Sequence, residues 1–341
     1  MWKNLGIVFC IVCLMSGCGT NPAPDKLEFE SVLQLKAELI SEESPVIGYP
    51  YDMFVTDSRI YVLSFNAGKW VHAFDRISGS EIASYVNMGR GPGECLMCSA
   101  FHFDRQHGEM YMFDSAQEKL LVFSLEEDGV IFLCEKSFAD IEDTAFYRVW
   151  PISDRIYLAN SQIGSMENGI TRFQLYSGDC VLLQECNDAA ELEGDDRYTY
   201  IHSFLSLSPD RTHLVCVTLM GEILDIYEIA GNSIAGTVGK VFSAPNVLYK
   251  GGVVRETEST RWGFPFVASD NEYIYASLAD DMDPERYNKI AVFNWKGEGI
   301  RKIETDKNVL RLYPYGQDIY AVVADSSNAL FFARFREVVS D

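Results

Sequence analysis

Short apolar runs with alternating polar positions recur along the chain from about residue 50 to the C-terminus. Each run is bounded by glycine, aspartate, asparagine or serine, as at Asp57–Val62 and Ser153–Leu158. Alternation with a period of two predicts β-strands, and no long apolar stripe of helical period competes with it. The sequence therefore predicts an all-β protein.

One residue marks the same point of each repeat, directly after a turn cluster. It is tyrosine in most copies, and the markers are 45 to 61 residues apart. A short apolar strand precedes each marker, and two more strands follow it across a glycine-containing turn in most copies. Four short antiparallel strands in a repeat of about fifty residues indicate a β-propeller blade. The markers are Tyr61, Tyr111, Tyr157, Leu214, Tyr275 and Tyr320.

The chain from Leu27 to Asp341 accommodates six such repeats, so we predict a six-bladed β-propeller of four-stranded antiparallel blades over residues 27–341. The last repeat lacks room for a fourth strand, because only Arg336–Asp341 remain after its third. The run Leu27–Leu35 is strand-like and belongs to no repeat. We expect this N-terminal run to supply the outer strand of the sixth blade, which closes the ring and leaves no edge unpaired.

The N-terminus carries a sorting signal, in which Lys3 precedes the apolar stretch Leu5–Met15. The stretch is too short to cross the roughly 30 Å hydrocarbon core of a bilayer as a helix, so it is typical of a cleaved secretory signal peptide. Residues 14–18, Leu-Met-Ser-Gly-Cys, resemble the lipobox of bacterial lipoproteins. This resemblance implies cleavage after residue 17 and acylation of Cys18. An ordinary signal peptide with incidental cysteines is the alternative.

Domain boundaries follow from this interpretation. Residues 1–17 are the signal peptide, residues 18–26 are a lipidated tether, and residues 27–341 are the propeller. Several acyl chains anchor a protein stably, since each buried CH₂ contributes about 0.8 kcal/mol.

Acidic residues after the cysteine begin only at Asp25. The acidic cluster that directs some lipoproteins to the cell surface is therefore not evident, and we expect an outer-membrane lipoprotein on the periplasmic face, with the cell surface as the alternative.

The acidity of the chain narrows the range of partners. It has 28 Lys and Arg against 50 Asp and Glu, a formal net charge of −22. A protein this acidic is poorly suited to bind a phosphate backbone, so we expect no nucleic-acid partner. Dense parts of the charge fall in predicted turns, at Glu126–Asp128 and Asp280–Glu285. We interpret the second of these as solvated carboxylates, with weak calcium binding as the alternative.

The segment Asn87–Glu94, Asn-Met-Gly-Arg-Gly-Pro-Gly-Glu, is the most distinctive motif. It resembles a segment of the TolB-like six-bladed propeller lipoproteins of Bacteroidota, and it is similar to the Gly-rich inter-blade loop of NHL-repeat propellers. The resemblance implies a fold and a location rather than an activity. Because glycine adopts positive φ at low cost, we expect a tight turn between the first two blades, with anion binding by Arg90 and the loop amides as the alternative.

The sequence lacks the common catalytic signatures, including the Gly-x-Ser-x-Gly, His-Glu-x-x-His and phosphate-loop motifs. Asp52 lies near the start of an inner strand, but the matching Glu and Asn of metal-dependent propeller hydrolases are missing. Cys95 and Cys98 have redox spacing, yet the segment runs into a strand rather than a helix, which favours buried thiols or disulfides. We predict no cofactor and no metal site.

Several of the few cations fall where inner strands are expected to begin, and aromatic residues accompany them. Inner-strand starts and inter-blade loops build the ligand sites of propellers. Guanidinium groups that converge on one channel mouth would bind an acidic or hydroxyl-rich ligand, with aromatic rings stacking on sugar or peptide. Local pairing of each arginine with a carboxylate is the alternative. The candidate ligand-binding residues are Arg90, His102, Arg148, Trp150, His202, Arg261, Trp262 and Arg311.

These observations favour a monomeric, lipid-anchored propeller that acts as a binding or scaffold module for a glycan, a peptide or a partner envelope protein. A propeller hydrolase or lyase with its site at the channel mouth is the alternative, and a purely structural envelope component is a third class. A mouth lined by unpaired ionisable groups would favour chemistry, whereas a flat, filled mouth would favour the structural role.

Overall fold

The computed structural model describes residues 25–141, 146–153, 155–161, 172–186, 192–279 and 286–336. The predicted signal peptide, the lipidation site Cys18 and the acidic segment 280–285 lie outside these ranges. In the described part of the chain, no helix is long and apolar enough to cross a membrane.

Six sheets of three or four consecutive strands follow one another along the chain, and each is one blade. Two N-terminal strands, β1 (Ser31–Leu35) and β2 (Glu38–Leu39), precede them. Blade 1 comprises β3 (Asp52–Val55), β4 (Arg59–Asn66), β5 (Lys69–Asp75) and β6 (Glu81–Asn87). Blade 2 comprises β7 (Cys98–Asp104), β8 (Glu109–Asp114), β9 (Lys119–Glu126) and β10 (Gly129–Ser137). Blade 3 comprises β11 (Phe146–Ser153), β12 (Ile156–Ser161), β13 (Arg172–Ser177) and β14 (Leu182–Cys186).

The second half of the ring contains two insertions. A 3-10 helix, Gly194–His202, precedes blade 4, which comprises β15 (Ser203–Leu207), β16 (His213–Thr218), β17 (Glu222–Ala230) and β18 (Ser233–Ser243). A hairpin of β19 (Leu248–Lys250) and β20 (Val253–Arg255) precedes blade 5, which comprises β21 (Val267–Ser269), β22 (Tyr273–Leu278), β23 (Lys289–Asn294) and β24 (Gly299–Thr305). Blade 6 comprises β25 (Asn308–Tyr315), β26 (Asp318–Ala324) and β27 (Leu330–Arg336).

The predicted six-bladed propeller of antiparallel blades is confirmed by this topology. Local turn chemistry explains how each blade forms. In blade 1 the Asp75 carboxylate accepts hydrogen bonds from the backbone amides of Ile77 and Ser78, at 3.1 and 2.7 Å, and Gly79 follows with φ +70°. An aspartate that caps its own turn and a glycine in the left-handed region reverse the chain between the third and fourth strands.

The apolar core lies between neighbouring blades. Phe54 of blade 1 contacts the rings of Phe101 and Phe103 of blade 2, with centroids 4.9 and 4.7 Å away. Phe74 of blade 1 likewise meets Phe332 of blade 6 at 4.7 Å, across the seam where the two ends of the ring join. Blade 1 therefore buries both of its faces, and its strand β4 is buried without interruption over residues 60–64.

An N-terminal strand closes the last blade, as predicted, but it is not the segment expected. Glu38 and Leu39 of β2 pair antiparallel with Arg334 and Ala333 of β27, which completes blade 6 as a four-stranded sheet. Strand β1 instead pairs parallel with β24, as a fifth strand of blade 5. The prediction that Leu27–Leu35 forms the outer strand of blade 6 was therefore wrong.

Apolar anchors explain where the N-terminal segment lies. Leu27 and Phe29 pack against the core between blades 4 and 5, and Leu35 packs against the core between blades 5 and 6. At the end of β1 the Ala37 amide donates to the Asp306 carboxylate at 2.8 Å. The chain thus crosses the outer edge of blade 5 before β2 reaches blade 6.

Two truncations separate the roles of the N-terminal strands. Removing the chain through residue 36 deletes β1 but keeps β2, so we expect a folded monomer that is less stable by roughly 2 to 5 kcal/mol, because partly buried apolar side chains are lost. Removing it through residue 41 also exposes the edge of β27, so we expect self-association. Thermal melts and light scattering measure both effects, and identical behaviour of the two truncations would contradict these roles.

Candidate functional site

The six inner strands surround a central channel that holds a cavity of about 350 Å³. Each inner strand runs from one end of the channel to the other. We call the end where the inner strands begin the mouth, and the end where they finish the floor. Every blade contributes lining residues, so a ligand in this cavity would contact the whole ring.

Two arginines reach the mouth from opposite blades. Arg148 of blade 3 donates from Nε to the carbonyl of Ser99 at 3.2 Å, and Arg311 of blade 6 donates from Nε to the carbonyl of Tyr51 at 2.6 Å. Among the described residues, no carboxylate lies within ion-pair distance of either guanidinium. Each guanidinium instead lies over a tyrosine ring, Tyr147 at 5.1 Å and Tyr49 at 5.4 Å. Because main-chain carbonyls carry only partial charge, both cations retain capacity for an anion.

Asp52 is the carboxylate of the mouth. It begins the inner strand of blade 1 and accepts the backbone amide of Met53 at 2.8 Å. Burial raises the pKa of Asp52 to about 6, although the amide and the charges of Arg311 and Arg148 act in the opposite direction. The carboxyl group therefore changes charge close to neutral pH, between two cations that it does not directly contact.

A salt bridge on the floor side joins blades 2 and 4, which are not neighbours in the ring. Arg211, in the turn after the inner strand of blade 4, pairs with Asp104 at the end of the inner strand of blade 2. Burial would raise the pKa of Asp104, but the hydrogen bond with His107 and the charge of Arg211 outweigh it and lower the pKa. The side chains of the ion pair are 11% and 4% exposed, so both charged groups are largely buried.

His102 lines the same channel beside the ion pair. Its Nε2 atom is buried without a hydrogen-bond partner. Burial lowers the pKa of His102 to about 4, and the charge of Arg211 acts in the same direction. The imidazole is therefore neutral at physiological pH, and it is not an ion-paired base.

The sequence-predicted residues divide into two groups. His102, Arg148, Trp150 and Arg311 line the channel cavity. Arg90, His202, Arg261 and Trp262 do not. Trp262 packs on Met220 beneath the inserted hairpin, and His202 ends the 3-10 helix, where its carbonyl accepts the amide of Leu219.

In the Gly-rich loop between blades 1 and 2, a carboxylate of the loop accepts a hydrogen bond from a backbone amide of the same loop. The Glu94 carboxylate accepts the backbone amide of Gly91 at 2.9 Å, and a Cβ on Gly89 would fall 2.0 Å from that carboxylate. Gly93 has φ +72°. An internal carboxylate therefore occupies the place that an anionic ligand would take, while the Arg90 side chain is exposed to solvent. The loop is a structural turn.

The cysteines of the described residues occur as free thiols. Cys95 is fully buried, and its hydrogen bond with Cys98 together with burial raises the pKa of its thiol. Six free cysteines and no disulfide occur in the ranges the structure describes, and no group of three or more His, Cys, Asp and Glu is arranged to hold a metal there.

Replacing Asp52 by Asn tests whether burial destabilises the charged form of this carboxyl group. Since the folded-state pKa is about 6 and the ordinary value is 3.8, ionisation destabilises the fold as the pH rises through this window. Asp52→Asn should therefore stabilise the protein by about 1 to 3 kcal/mol above pH 6, an advantage that disappears below about pH 4. Denaturant unfolding at several pH values measures this, with exposed Asp140→Asn as the control. A pH-independent effect of Asp52→Asn would contradict the assignment.

Replacing Glu94 by Ala tests the structural interpretation of the loop. Loss of a charge-assisted hydrogen bond should lower the free energy of unfolding by about 1 to 2 kcal/mol. The neighbouring Arg90→Ala is the matched control, and we expect it to leave stability unchanged because the side chain is exposed and forms no hydrogen bond or ion pair with the described residues. The opposite ranking of the two variants would show that the loop does not depend on Glu94.

Known structures share this architecture. The fold is similar to that of an exported protein from Bacteroides fragilis, with 11% identity, a TM-score of 0.55, and coverage of 90% of this chain and 99% of that one. It is also similar to a member of the DUF4221 family from Bacteroides vulgatus, with 12% identity, a TM-score of 0.52 and 89% and 96% coverage. A calcium-binding protein, regucalcin, from Agrobacterium tumefaciens has 12% identity, a TM-score of 0.50 and 90% and 96% coverage. At these identities the similarity concerns the fold alone.

Sequence comparison gives partial matches to curated proteins and an extensive match to a family model. The chain is 27% identical over 116 residues to a protein of Borreliella burgdorferi named as a probable chemoreceptor glutamine deamidase, CheD, a match that covers 34% of this chain and 69% of that protein. The family model described as TolB-like 6-blade propeller-like matches residues 28–313, which is most of the propeller. The chain belongs to the TolB-like six-bladed propeller family.

Proposed function

We propose that this protein is a lipid-anchored binding module of the cell envelope, whose channel mouth takes a carboxylate or sulfate group of a glycan or peptide. The observation that carries the proposal is the pair Arg148 and Arg311. In a chain with a net charge of −22, these two cations face one cavity from opposite blades without a carboxylate partner among the described residues.

The size and the lining of the mouth support a small anionic group rather than a flat contact surface. A cavity of about 350 Å³ is at the lower end of the range of small-molecule sites, roughly 300 to 1,000 Å³. Tyr49 and Tyr51 stand at its rim with more than half of each side chain exposed, and their rings meet edge to face at 5.6 Å. Exposed tyrosines beside guanidinium groups provide stacking surfaces for a sugar ring or a peptide side chain.

The proposed location rests on the N-terminal sequence. The lipobox-like residues before Cys18 support acylation, and membership of the TolB-like family accords with an envelope protein. One structural neighbour is described as an exported protein. An anchor on the outer membrane would hold the propeller within a tether's length of glycans and other envelope proteins.

A hydrolase or lyase is the second candidate, and one observation favours it. Asp52, with its pKa raised to about 6, is a carboxyl group that exchanges a proton near neutral pH beside two cations. However, Asp52 is the only carboxylate among the described residues that line the cavity, and the histidine among them, His102, has a buried Nε2 atom without a hydrogen-bond partner. We therefore rank binding above catalysis.

The double variant Arg148→Gln/Arg311→Gln tests the mouth. We expect the wild-type protein to bind acidic glycans or peptides on an array, and this variant to lose at least tenfold in affinity because both cations are removed. Arg90→Gln/Arg261→Gln removes the same charge from exposed positions outside the cavity and should bind normally. Chromatography of the incubated glycans detects any cleavage and so distinguishes the enzyme candidate.

Two outcomes would contradict the proposal. Equal losses in both double variants would show that affinity follows net charge alone. Unaltered binding by Arg148→Gln/Arg311→Gln would place the ligand elsewhere on the ring.

A further inference from the structure

A second, larger cavity opens on the floor side, between blades 5 and 6. Its volume is about 620 Å³, against about 350 Å³ for the channel cavity. We call it the cleft. The turns that follow the inner strands of blades 5 and 6 form its rim, and Leu33 and Leu35 of β1 form part of its wall together with Ile303 and Phe335.

Arg105 supplies the cleft with a cation that has no acidic partner. It follows the inner strand of blade 2 and lies over the ring of Tyr315 of blade 6, 4.6 Å from its centroid. It also lines the cleft beside Tyr313. No carboxylate of the described residues is within ion-pair distance of it. A guanidinium stacked on a ring keeps its N–H edge free for an oxyanion. By contrast, Arg336 in the same cleft is occupied by Asp318, with contacts of 2.7 and 2.8 Å.

The remaining polar groups of the cleft suit hydroxyl groups. The Asp270 carboxylate is already used by the amide of Tyr273 at 2.6 Å and the hydroxyl of Tyr275 at 3.0 Å. The side chains of Glu272 and Gln317 are exposed at the rim and bond to no described side chain. An amide and a carboxylate provide donors and acceptors for sugar hydroxyls, and the tyrosine rings provide flat apolar faces.

We propose that the cleft is a second binding site, and that it takes a short oligosaccharide bearing a carboxylate. The carboxylate binds Arg105, the sugar rings lie along the tyrosines, and their hydroxyls bond to Gln317 and Glu272. The cleft volume lies well inside the range of small-molecule sites, roughly 300 to 1,000 Å³, so it has room for more than one sugar ring. The cleft adjoins the channel cavity, since Arg105, Pro209 and Tyr313 line both, but Arg148 and Arg311 line the channel cavity alone. The proposal therefore does not depend on the function proposed for the mouth.

Because β1 borders the cleft, hydrogen exchange of its backbone amides can report whether the cleft is occupied. Since Leu33 and Leu35 line the cleft, a ligand seated there holds β1 against blade 5. Backbone amides of Ser31–Leu35 should then exchange with deuterium more slowly when the cleft is occupied. A ligand at the mouth contacts no residue of β1 and would leave their exchange unchanged.

The test titrates trigalacturonate into the full-length protein carrying Arg148→Gln/Arg311→Gln, in which the mouth is disabled. Calorimetry should show one site, adding Arg105→Gln should weaken it at least tenfold, and exchange of Ser31–Leu35 should slow on binding. Adding Arg155→Gln, an exposed arginine in the equivalent turn of blade 3, should have no effect. Gln317 lies in an exposed turn. Adding Gln317→Ala to the mouth-disabled protein, in place of Arg105→Gln, should therefore weaken binding without altering the fold.

Each contrary outcome is decisive. Absence of binding to the mouth-disabled protein, equal affinity for neutral cellotriose, or an undiminished affinity after Arg105→Gln in a variant with normal melting would overturn the proposal. Failure of the mouth proposal has a separate signature, because it appears as unaltered array binding when Arg148 and Arg311 are replaced.

Discussion

The ring depends on a pairing of only two residues. Glu38 and Leu39 supply the outer strand of a blade whose other three strands lie at the opposite end of the chain, and the amide of Ile40 extends this ladder to the carbonyl of Phe332 at 2.8 Å. Without it, β27 would be an open edge and the aromatic contact between Phe74 and Phe332 would be unsupported. The approach is close, because a Cβ on Gly79 would lie 3.0 Å from Ser41.

Arginines have two distinct roles in this acidic protein. Some pair with carboxylates and join distant parts of the ring, as Arg334 joins Glu38 at the seam and Arg211 joins Asp104 across the floor. Others rest on main-chain carbonyls or tyrosine rings and face cavities, as Arg148, Arg311 and Arg105 do. Asp52 shares the channel cavity with Arg148 and Arg311 but forms an ion pair with neither, so these cations keep their capacity for an anion in a chain that is strongly acidic as a whole.

Much of the architecture follows from the sequence, because short apolar strands bounded by turn residues recur at a spacing of about fifty residues. The inner strands, and with them Arg148 and Arg311, could be placed in this way. The location of β1 could not, since an apolar run does not reveal which of two neighbouring sheet edges it joins. Arg90 does not line the channel cavity, and Glu94 rather than a ligand accepts the amide of Gly91 in its loop. Arg261 and Trp262 follow the inserted hairpin and also lie outside the channel cavity, which the sequence does not reveal. The raised pKa of Asp52 depends on burial, which is a tertiary property.

The path of the N-terminal segment has a mechanical consequence. Asp25 is fastened to blade 4, through its amide to the carbonyl of Val241 at 2.9 Å and through its carboxylate to Lys240 at 3.0 Å. Five residues of β1 then hold the chain along blade 5 before it reaches β2. A force that pulls on the chain from its N-terminal side is therefore borne first by Asp25 and then, as shear, by the parallel ladder. The two-residue closure comes after both in the chain, so both must break before tension from the N-terminal side reaches it.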